Sequence, residues 1–369
     1  MTSIINIGMD VHSTNYTMCA YTFAGQQAFG RTVLNPDINE VVKYLKKLDE
    51  QLGGGCEFVC GYEAGCLGYS LYRQLTAKGI HCVILAPTTM PDSPKGKGIK
   101  TDKRDALKIA QCLTYGTYSA VQVPTPGDDS VKEYIRMRDD AKTLLKQTKQ
   151  QINALCVRHG RLYAGGKWTA KHIQWLKSQH FEQVVLAETL QEYLLTWERL
   201  TEKIARFDRR IEELAQSPAY YEKVRKLGCL KGIATHTALS LVVEIGDFNR
   251  FPTAQQFSSF LGLVPGERSS AENQNRLSIT KAGNSHLRLL LTESANTYSK
   301  GMPGIKSRAL KSRQNNMPPK VVAYADKASV RLRKKYIRIS SRSNGNIAKV
   351  AVARELACFV WGIMTGKIS

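Results

Sequence analysis

Residues 4–12 read IINIGMDVH, and this stretch sets the architecture of the first part of the chain. Its apolar run ends on an acid, Asp10, a pattern typical of a buried strand that delivers a carboxylate to the edge of a sheet. Further strands follow and then alternate with helices, which predicts a mixed α/β sheet for about residues 1–117. The predicted strands cover 4–10, 16–22, 28–34, 58–62 and 82–85, with helices beginning near Asn35 and Gly68.

The remainder of the chain has a helical pattern. Residues 129–158 predict one long helix, and apolar residues then recur at steps of three and four from Leu190 to Leu214. That stripe fits a helical hairpin folded on itself and a coiled-coil seam for a partner chain equally well. A glycine turn at Gly232 between two helices has the shape by which helix-hairpin-helix modules hold phosphate. The predicted domains are 1–120, 121–220 and 221–369, the last with helices at 253–262, 283–299 and 320–365 and a loop at 300–320.

The charge of the chain is uneven. Lysine and arginine number 53 against 31 acidic residues, which gives a formal net charge of +22. Residues 268–369 contain 20 of these cations and only 4 of the acids. A self-repelling surface of this kind usually has a polyanionic partner, and nucleic acid is the commonest one. A hydrophobic content of 43% excludes a wholly disordered chain.

Other features of the sequence indicate a cytoplasmic protein with no membrane partner. No run of 18 apolar residues is present, and the N-terminus lacks the basic and apolar regions of a signal peptide. The nine cysteines are scattered and match no common zinc pattern. We therefore expect reduced thiols, mostly packed in the core.

Four acids stand where strands end or a helix begins. Asp10 ends the first strand, Glu63 follows a later one, and Asp102 and Asp105 lie on one face at a predicted helix start. If neighbouring strands carry Asp10 and Glu63, all four converge, and their mutual repulsion requires a cation. Carboxylate oxygens suit Mg²⁺ or Mn²⁺, which serve phosphoryl transfer. The alternative is structural: Asp102 caps a helix, and Asp10 and Glu63 are solvated strand ends.

The second part of the chain holds a possible nucleophile and two groups of cations. Ser269 and Ser270 lie in a predicted loop rich in glycine and charge, where a hydroxyl beside phosphate-binding cations is a candidate nucleophile. Ordinary loop serines are the alternative. A second basic run lies in the predicted closing helices, where the alternative is a solvated helix face. The candidate nucleic-acid-binding residues are Arg268, Arg276, Lys281, Arg331, Arg333, Lys334, Lys335 and Arg338.

Short motifs run in order along nearly the whole chain. They are MDVH at 9–12, YEA at 62–64, KTDKRDA at 100–106, EIGD at 244–247, RFPTA at 250–254, GLVP at 262–265, SS at 269–270, ITKAGN at 279–284 and AKVAVARELA at 348–357. Taken together they resemble the DEDD transposases of bacterial insertion sequences and the Piv-type DNA invertases, a family that contains bridge-RNA-guided DNA recombinases.

The resemblance implies a fold and a set of site residues. It implies a RuvC-like, ribonuclease-H-type N-terminal domain in which Asp10, Glu63, Asp102 and Asp105 hold Mg²⁺ (or Mn²⁺). It also implies that a C-terminal serine attacks the DNA backbone to form a covalent phosphoserine. By position this is Ser270, with Ser269 as second choice, because Ala271 replaces the glycine that follows the serine in most relatives.

The resemblance further implies partners. Double-stranded donor and target DNA would be bound together with a non-coding guide RNA, and sequence choice would be left to base pairing with that RNA. The helical middle region would serve dimerisation and RNA binding. The metal site and the serine would combine across subunits, in a dimer that assembles to a tetramer.

Two rival functions use the same residues differently. A metal-dependent, structure-specific endonuclease, such as a Holliday-junction resolvase, would use the four acids with water as nucleophile. A non-catalytic nucleic-acid-binding protein would use neither the acids nor the serine chemically.

Overall fold

A computed structural model describes residues 3–91, 101–270 and 273–368, and gives no side-chain placement for 268–276. Internal contacts divide the chain into two units, Met1–Val123 and Pro124–Ser369. The predicted mixed α/β first part and mainly helical second part are confirmed. The finer division at residues 120 and 220 stays a prediction.

The first unit is built around a five-stranded mixed sheet of order β3-β2-β1-β4-β5. The strand β1 pairs antiparallel with β2 and parallel with β4, so it lies at the centre of the sheet. The elements are β1 (Ile4–Val11), β2 (Tyr16–Tyr21), β3 (Ala28–Leu34), α1 (Ile38–Gln51), β4 (Glu57–Glu63), α2 (Ser70–Ala77), β5 (His81–Leu85) and α3 (Asp102–Tyr115).

The central strand presents different side chains to the two faces of the sheet. Ile5, Ile7 and Met9 are fully buried with the apolar faces of α1 and α2. On the other face α3 comes so close that a Cβ on Gly8 would lie 2.0 Å from the carbonyl oxygen of Ala106. Only glycine permits this approach of helix to strand.

The second unit is mainly helical. Its elements are α4 (Pro126–Arg158), α5 (Ala170–Lys177), α6 (Val184–Ala215), α7 (Tyr221–Gly228), α8 (Thr235–Ile245), α9 (Ala254–Phe260), β6 (Pro265–Ser270), β7 (Asn273–Ile279), α10 (Ser285–Ala295), α11 (Arg308–Gln314), α12 (Pro319–Ser340) and α13 (Gly345–Thr365). One large core joins α7, α8, α10, α12 and α13. The helix α13 is apolar on most sides because it lies inside that core.

The two long helices α4 and α6 form an antiparallel hairpin. Leu190, near the start of α6, packs with Ile152 and Leu155 near the end of α4. Ile204 and Phe207 pack with Ala141 further along. The apolar stripe of α6 is therefore used within the chain, as the hairpin interpretation predicted.

Two predicted loops contain regular structure. The segment with Ser269 and Ser270 is the two-stranded hairpin β6–β7, and α11 lies inside the segment predicted as a loop at 300–320. The hairpin was missed because its strands are mostly polar and lack the apolar alternation by which strands are recognised. The turn around Gly232 does join two helices, α7 and α8, and its phosphate-binding role stays a prediction.

Most of the nine cysteines are buried, as expected, and no disulfide joins any of them; all nine lie within the described residues. In the part of the chain that the structure describes, no helix combines the length and the hydropathy that a membrane span requires.

Candidate functional site

The sheet brings two of the predicted acids to one edge. Met9 of β1 pairs in parallel register with Tyr62 of β4, so the next residues, Asp10 and Glu63, lie at the same end of adjacent strands. Side chains alternate along a strand, and both acids follow a glycine of the α3 face by two positions: Asp10 follows Gly8, and Glu63 follows Gly61. Both carboxylates therefore belong to the face that α3 covers.

The start of α3 supplies the other two acids. Asp102 is its first residue and Asp105 lies in its first turn, while Thr101 occupies the capping position. The interpretation of Asp102 as the helix cap is therefore wrong. The contact of Gly8 with α3 fixes how far this helix end lies from β1.

Asp10, His12 and Asp102 form a compact group of possible metal ligands. One donor atom from each lies within 4.8 Å of the others. The imidazole Nε2 of His12 lies 3.5 Å from Oδ2 of Asp10 and 3.9 Å from Oδ1 of Asp102. Although it stands in the motif at 9–12, His12 was not among the predicted site residues. Its spacing of two from Asp10, beyond the same strand end, was the available signal.

The electrostatics of Asp10 indicate a place for a cation. Partial burial raises the pKa of its carboxyl, and the charges of Asp102 and Asp105 raise it further, against the opposing effect of His12. Gathered carboxylates of this kind are stabilised by a positive ion. Oxygen donors from two or more carboxylates fit a hard divalent cation, and His12 adds one nitrogen donor.

The predicted nucleophile lies in the second unit. Ser270 is the last residue of β6 and pairs with Asn273, while Ser269 pairs with Gln274. The side chains of both serines, and of Arg268 and Arg276, lie outside the described residues. Lys281 is exposed and follows the hairpin directly.

The base of this hairpin is held by close backbone contacts. A Cβ on Gly283 would lie 2.0 Å from the carbonyl oxygen of Phe260, and one on Gly262 would lie 2.1 Å from that of Ala282. Both glycines have positive φ. These contacts explain why the segments GLVP and ITKAGN contain glycine at these two positions.

A buried ionic network lies beside the same base. The carboxylate of Glu244 is only 2% exposed; it accepts a hydrogen bond from Nδ2 of Asn284 (2.6 Å) and lies 2.5 Å from Nδ1 of His286. The other imidazole nitrogen, Nε2, lies 2.9 Å from Asp139 of α4. Burial opposes a charge on His286, yet the two carboxylates outweigh it and raise the pKa of His286 to about 9.

We expect this network to make the second unit less stable at alkaline pH. A raised pKa means that His286 stabilises the fold fully below its ordinary value of 6.5, and that this contribution is lost as pH rises through about 9. The free energy of unfolding should fall by about 3 kcal/mol over that interval. Urea unfolding followed by tryptophan fluorescence measures it, because all four tryptophans lie in the second unit.

The His286→Gln variant should lose this pH dependence, while His180→Gln, at an exposed position, should keep it. If the free energy of unfolding falls equally at alkaline pH in wild type and in His286→Gln, the charge of His286 in this network does not stabilise the unit.

The predicted basic residues of α12 have different surroundings. Arg331 and Lys335 pair with Glu355 of α13, and Arg333 donates to the carbonyl oxygens of Tyr298 and Gly301. Lys334 and Arg338 are exposed and line a groove of about 810 Å³. Lys334 and Arg338 are therefore more accessible to a phosphate than Arg333, whose guanidinium is used in hydrogen bonds within the chain.

Known proteins similar to this chain are transposases. The DEDD transposase model of the IS110 type matches residues 7–159, and the model described as the transposase IS116/IS110/IS902 family matches residues 224–309. The chain is 38% identical to the putative transposase y4qE of Sinorhizobium fredii, over 82% of this chain and 74% of that one. It is 32% identical to the transposase for insertion sequence element IS1533 of Leptospira borgpetersenii, over 90% and 95%.

A more distant relative spans almost the entire sequence. The transposase for insertion sequence element IS1111A of Coxiella burnetii is 26% identical over 99% of this chain and 91% of its own length. The first family match includes all four predicted acids, and the second includes both serines. Membership implies a DNA-processing enzyme that uses a divalent metal ion. The chain belongs to the IS116/IS110/IS902 family, the DEDD transposases of insertion sequences.

Proposed function

We propose that this transposase is an RNA-guided DNA recombinase, which cuts and exchanges strands through a covalent phosphoserine. The observation that carries the metal-dependent part is the convergence of Asp10, His12 and Asp102, with donor atoms within 4.8 Å. Glu63 and Asp105 would complete the ligand set, and Mg²⁺ or Mn²⁺ would be the ion. The five-stranded mixed sheet with acids at one edge supports a RuvC-like, ribonuclease-H-type domain.

The covalent step conserves the energy of the cleaved bond. The Oγ of Ser270 would attack the phosphorus, so that an Oγ–P bond forms as the bond to the 3′-oxygen breaks. The hydroxyl proton is released, and the departing 3′-oxygen gains one. A bound divalent ion would stabilise the negative charge of this transition state. Reversal of the step on another strand would rejoin the DNA without ATP.

The two candidate groups lie in different units of the chain. The acids belong to Met1–Val123 and the serine to Pro124–Ser369. We propose that they meet across subunits, in a dimer that assembles to a tetramer. Exposed cations such as Lys281, Lys334 and Arg338 would bind phosphates without reading sequence, and the guide RNA would choose the sites by base pairing.

Replacement of Ser270 by alanine tests the mechanism. We expect wild type, given substrate DNA, guide RNA and Mg²⁺, to form a protease-sensitive protein–DNA adduct, and Ser270→Ala to form none. Ser269→Ala is the matched control, because it removes a hydroxyl from the adjacent residue of the same strand. The adduct is measured as labelled DNA that is retarded on a denaturing gel and released by protease.

Other outcomes identify the rivals. Undiminished cleavage by Ser270→Ala, with no adduct, would indicate an endonuclease that uses water. Loss of the adduct only in Ser269→Ala would identify Ser269, and not Ser270, as the nucleophile. Binding without any cleavage, unaffected by Asp10→Asn, would indicate a non-catalytic protein.

A further inference from the structure

A second strongly basic segment precedes the C-terminal one by more than 80 residues in the sequence, since it ends at residue 181 and the other begins at 268. Residues 141–181 contain eight lysines and arginines and no aspartate or glutamate. Counts over larger regions conceal this segment, because the acids of α6 and of the start of α4 balance it. The segment covers the far end of α4, the connection that follows, and α5.

Three of these lysines form one stripe on α4. Lys142, Lys146 and Lys149 are spaced by four and three residues, so they lie on one helix face. With Leu145, Gln150, Asn153 and Trp168 they line a groove of about 360 Å³. From Lys142 to Asn153 the stripe covers about 16 Å of helix. Among the described residues, neither Lys142 nor Lys146 has an acidic partner.

One wall of the groove is the indole ring of Trp168, a residue with an uncommon backbone conformation. Trp168 has φ of +63°, a conformation that is costly for a bulky residue. Its backbone N–H donates to Nδ1 of His172, which is buried and whose pKa is lowered by that burial, so the ring is a neutral acceptor. The indole contacts the rings of Trp197 and His172, and the ammonium of Lys149 lies 5.0 Å from its centre.

We infer that this groove binds an unpaired stretch of RNA, with one base stacked on Trp168 and the neighbouring phosphates at Lys142, Lys146 and Lys149. Cations along one line beside an aromatic face are the features that hold single-stranded nucleic acid. A base that stacks on the indole would displace the Lys149 ammonium from the ring toward a phosphate. The hydrogen bond from the Trp168 N–H to His172 and the ring contacts with Trp197 and His172 hold the indole in place before binding, which lowers the ordering cost.

The choice of RNA deepens the proposed function and rests on it. The DNA substrate of a recombinase is double-stranded, whereas loops and bulges of RNA present unpaired bases. Binding itself is tested without cleavage, in the absence of Mg²⁺. Failure of the covalent mechanism would therefore leave this result unchanged, and Ser270→Ala should bind as wild type does.

The experiment measures fluorescence anisotropy of labelled oligo(rU), oligo(dT) and a DNA duplex of equal length with the full chain. Trp168→Ala should weaken oligo(rU) binding roughly 5- to 100-fold, while Trp168→Phe keeps most of the affinity. The triple variant Lys142→Gln/Lys146→Gln/Lys149→Gln should lower the salt dependence, the slope of log affinity against log salt, by about 2. The matched control is Lys43→Gln/Lys46→Gln/Lys47→Gln, the same charge change on exposed lysines of α1.

Several outcomes would overturn the inference. Equal effects of the two triple variants would show that no particular stripe binds RNA. Weaker oligo(rU) binding by the lysine variant, with unchanged binding by Trp168→Ala, would exclude stacking. An equal loss of duplex affinity in Trp168→Ala would also exclude it. Tighter binding of oligo(dT) than of oligo(rU) would assign the groove to single-stranded DNA. A lysine variant that changes the oligomeric state in light scattering would assign it to a second copy of the chain.

Discussion

The Asp10→Asn variant should lose DNA strand cleavage by a factor of at least about a thousand, with its fold unchanged. Asp10 lies at the end of the central strand, and its carboxylate is within reach of both His12 and Asp102. An amide keeps the shape of the side chain and removes the charge that would hold a divalent cation. Electrostatic stabilisation of the transition state by such a site usually contributes most of the rate enhancement in phosphoryl transfer. The measurement is the rate of cleavage of labelled DNA ends in Mg²⁺.

A metal-binding measurement separates this effect from a loss of structure. Calorimetric titration with Mn²⁺ should show a site in wild type that is weakened at least tenfold in Asp10→Asn. The matched control is Asp49→Asn in α1, where the amide oxygen still accepts the hydrogen bond from the Cys56 N–H. Cleavage at the wild-type rate by Asp10→Asn would remove the four acids from the proposed mechanism.

The Gly8→Ala variant should be the most damaging change of a single methyl group in the first unit. The new Cβ would lie 2.0 Å from the carbonyl oxygen of Ala106 and 2.4 Å from the backbone nitrogen of Ala110. Both are backbone atoms of α3, so the helix must move away from the sheet. Overpacking of this kind costs about 1 to 3 kcal/mol and sometimes more. Because Asp102 and Asp105 begin the same helix, cleavage should also be lost.

Hydrogen exchange of the β1 amides measures this effect, since the first unit contains no tryptophan. The control is Gly127→Ala, where the nearest atom to a new Cβ is 3.9 Å away and the residue lies in the first turn of α4. Wild-type exchange rates and activity in Gly8→Ala would mean that α3 is not held by this contact.

Much of the first unit was predictable because its strands are short apolar runs between turns. Asp10 and Glu63 became candidates in the same way, since each directly follows such a run. The close approach of α3 to Gly8 was not predictable, because an isolated glycine in a strand does not identify its neighbour. His12 was overlooked because a polar residue beyond a strand end resembles any solvated side chain.

The second unit shows the limits of periodicity. The helices α12 and α13 were recognisable from their apolar spacing, whereas β6–β7 was not, because residues 265–279 are largely polar. The different roles of Arg333 and Lys334 also required the fold, since adjacent cations on a helix point to different partners. Likewise, the ring of Trp168 comes close to the lysines of α4 only after α4 and α6 have packed together.

The closeness of like charges at the edge of the sheet has a thermodynamic consequence. Asp10 and Asp102 come from a strand and a helix that are remote in sequence, so their carboxylates meet only in the folded chain. An ion that binds there stabilises the folded state, by about 1.4 kcal/mol for each tenfold rise in free ion above its dissociation constant. Without the ion, the burial of the Asp10 carboxylate, together with the nearby charges of Asp102 and Asp105, raises its pKa and acts against folding. The acids proposed to hold the ion should therefore make the metal-free form less stable, and Asp10→Asn should be the more heat-resistant protein in the presence of a chelator.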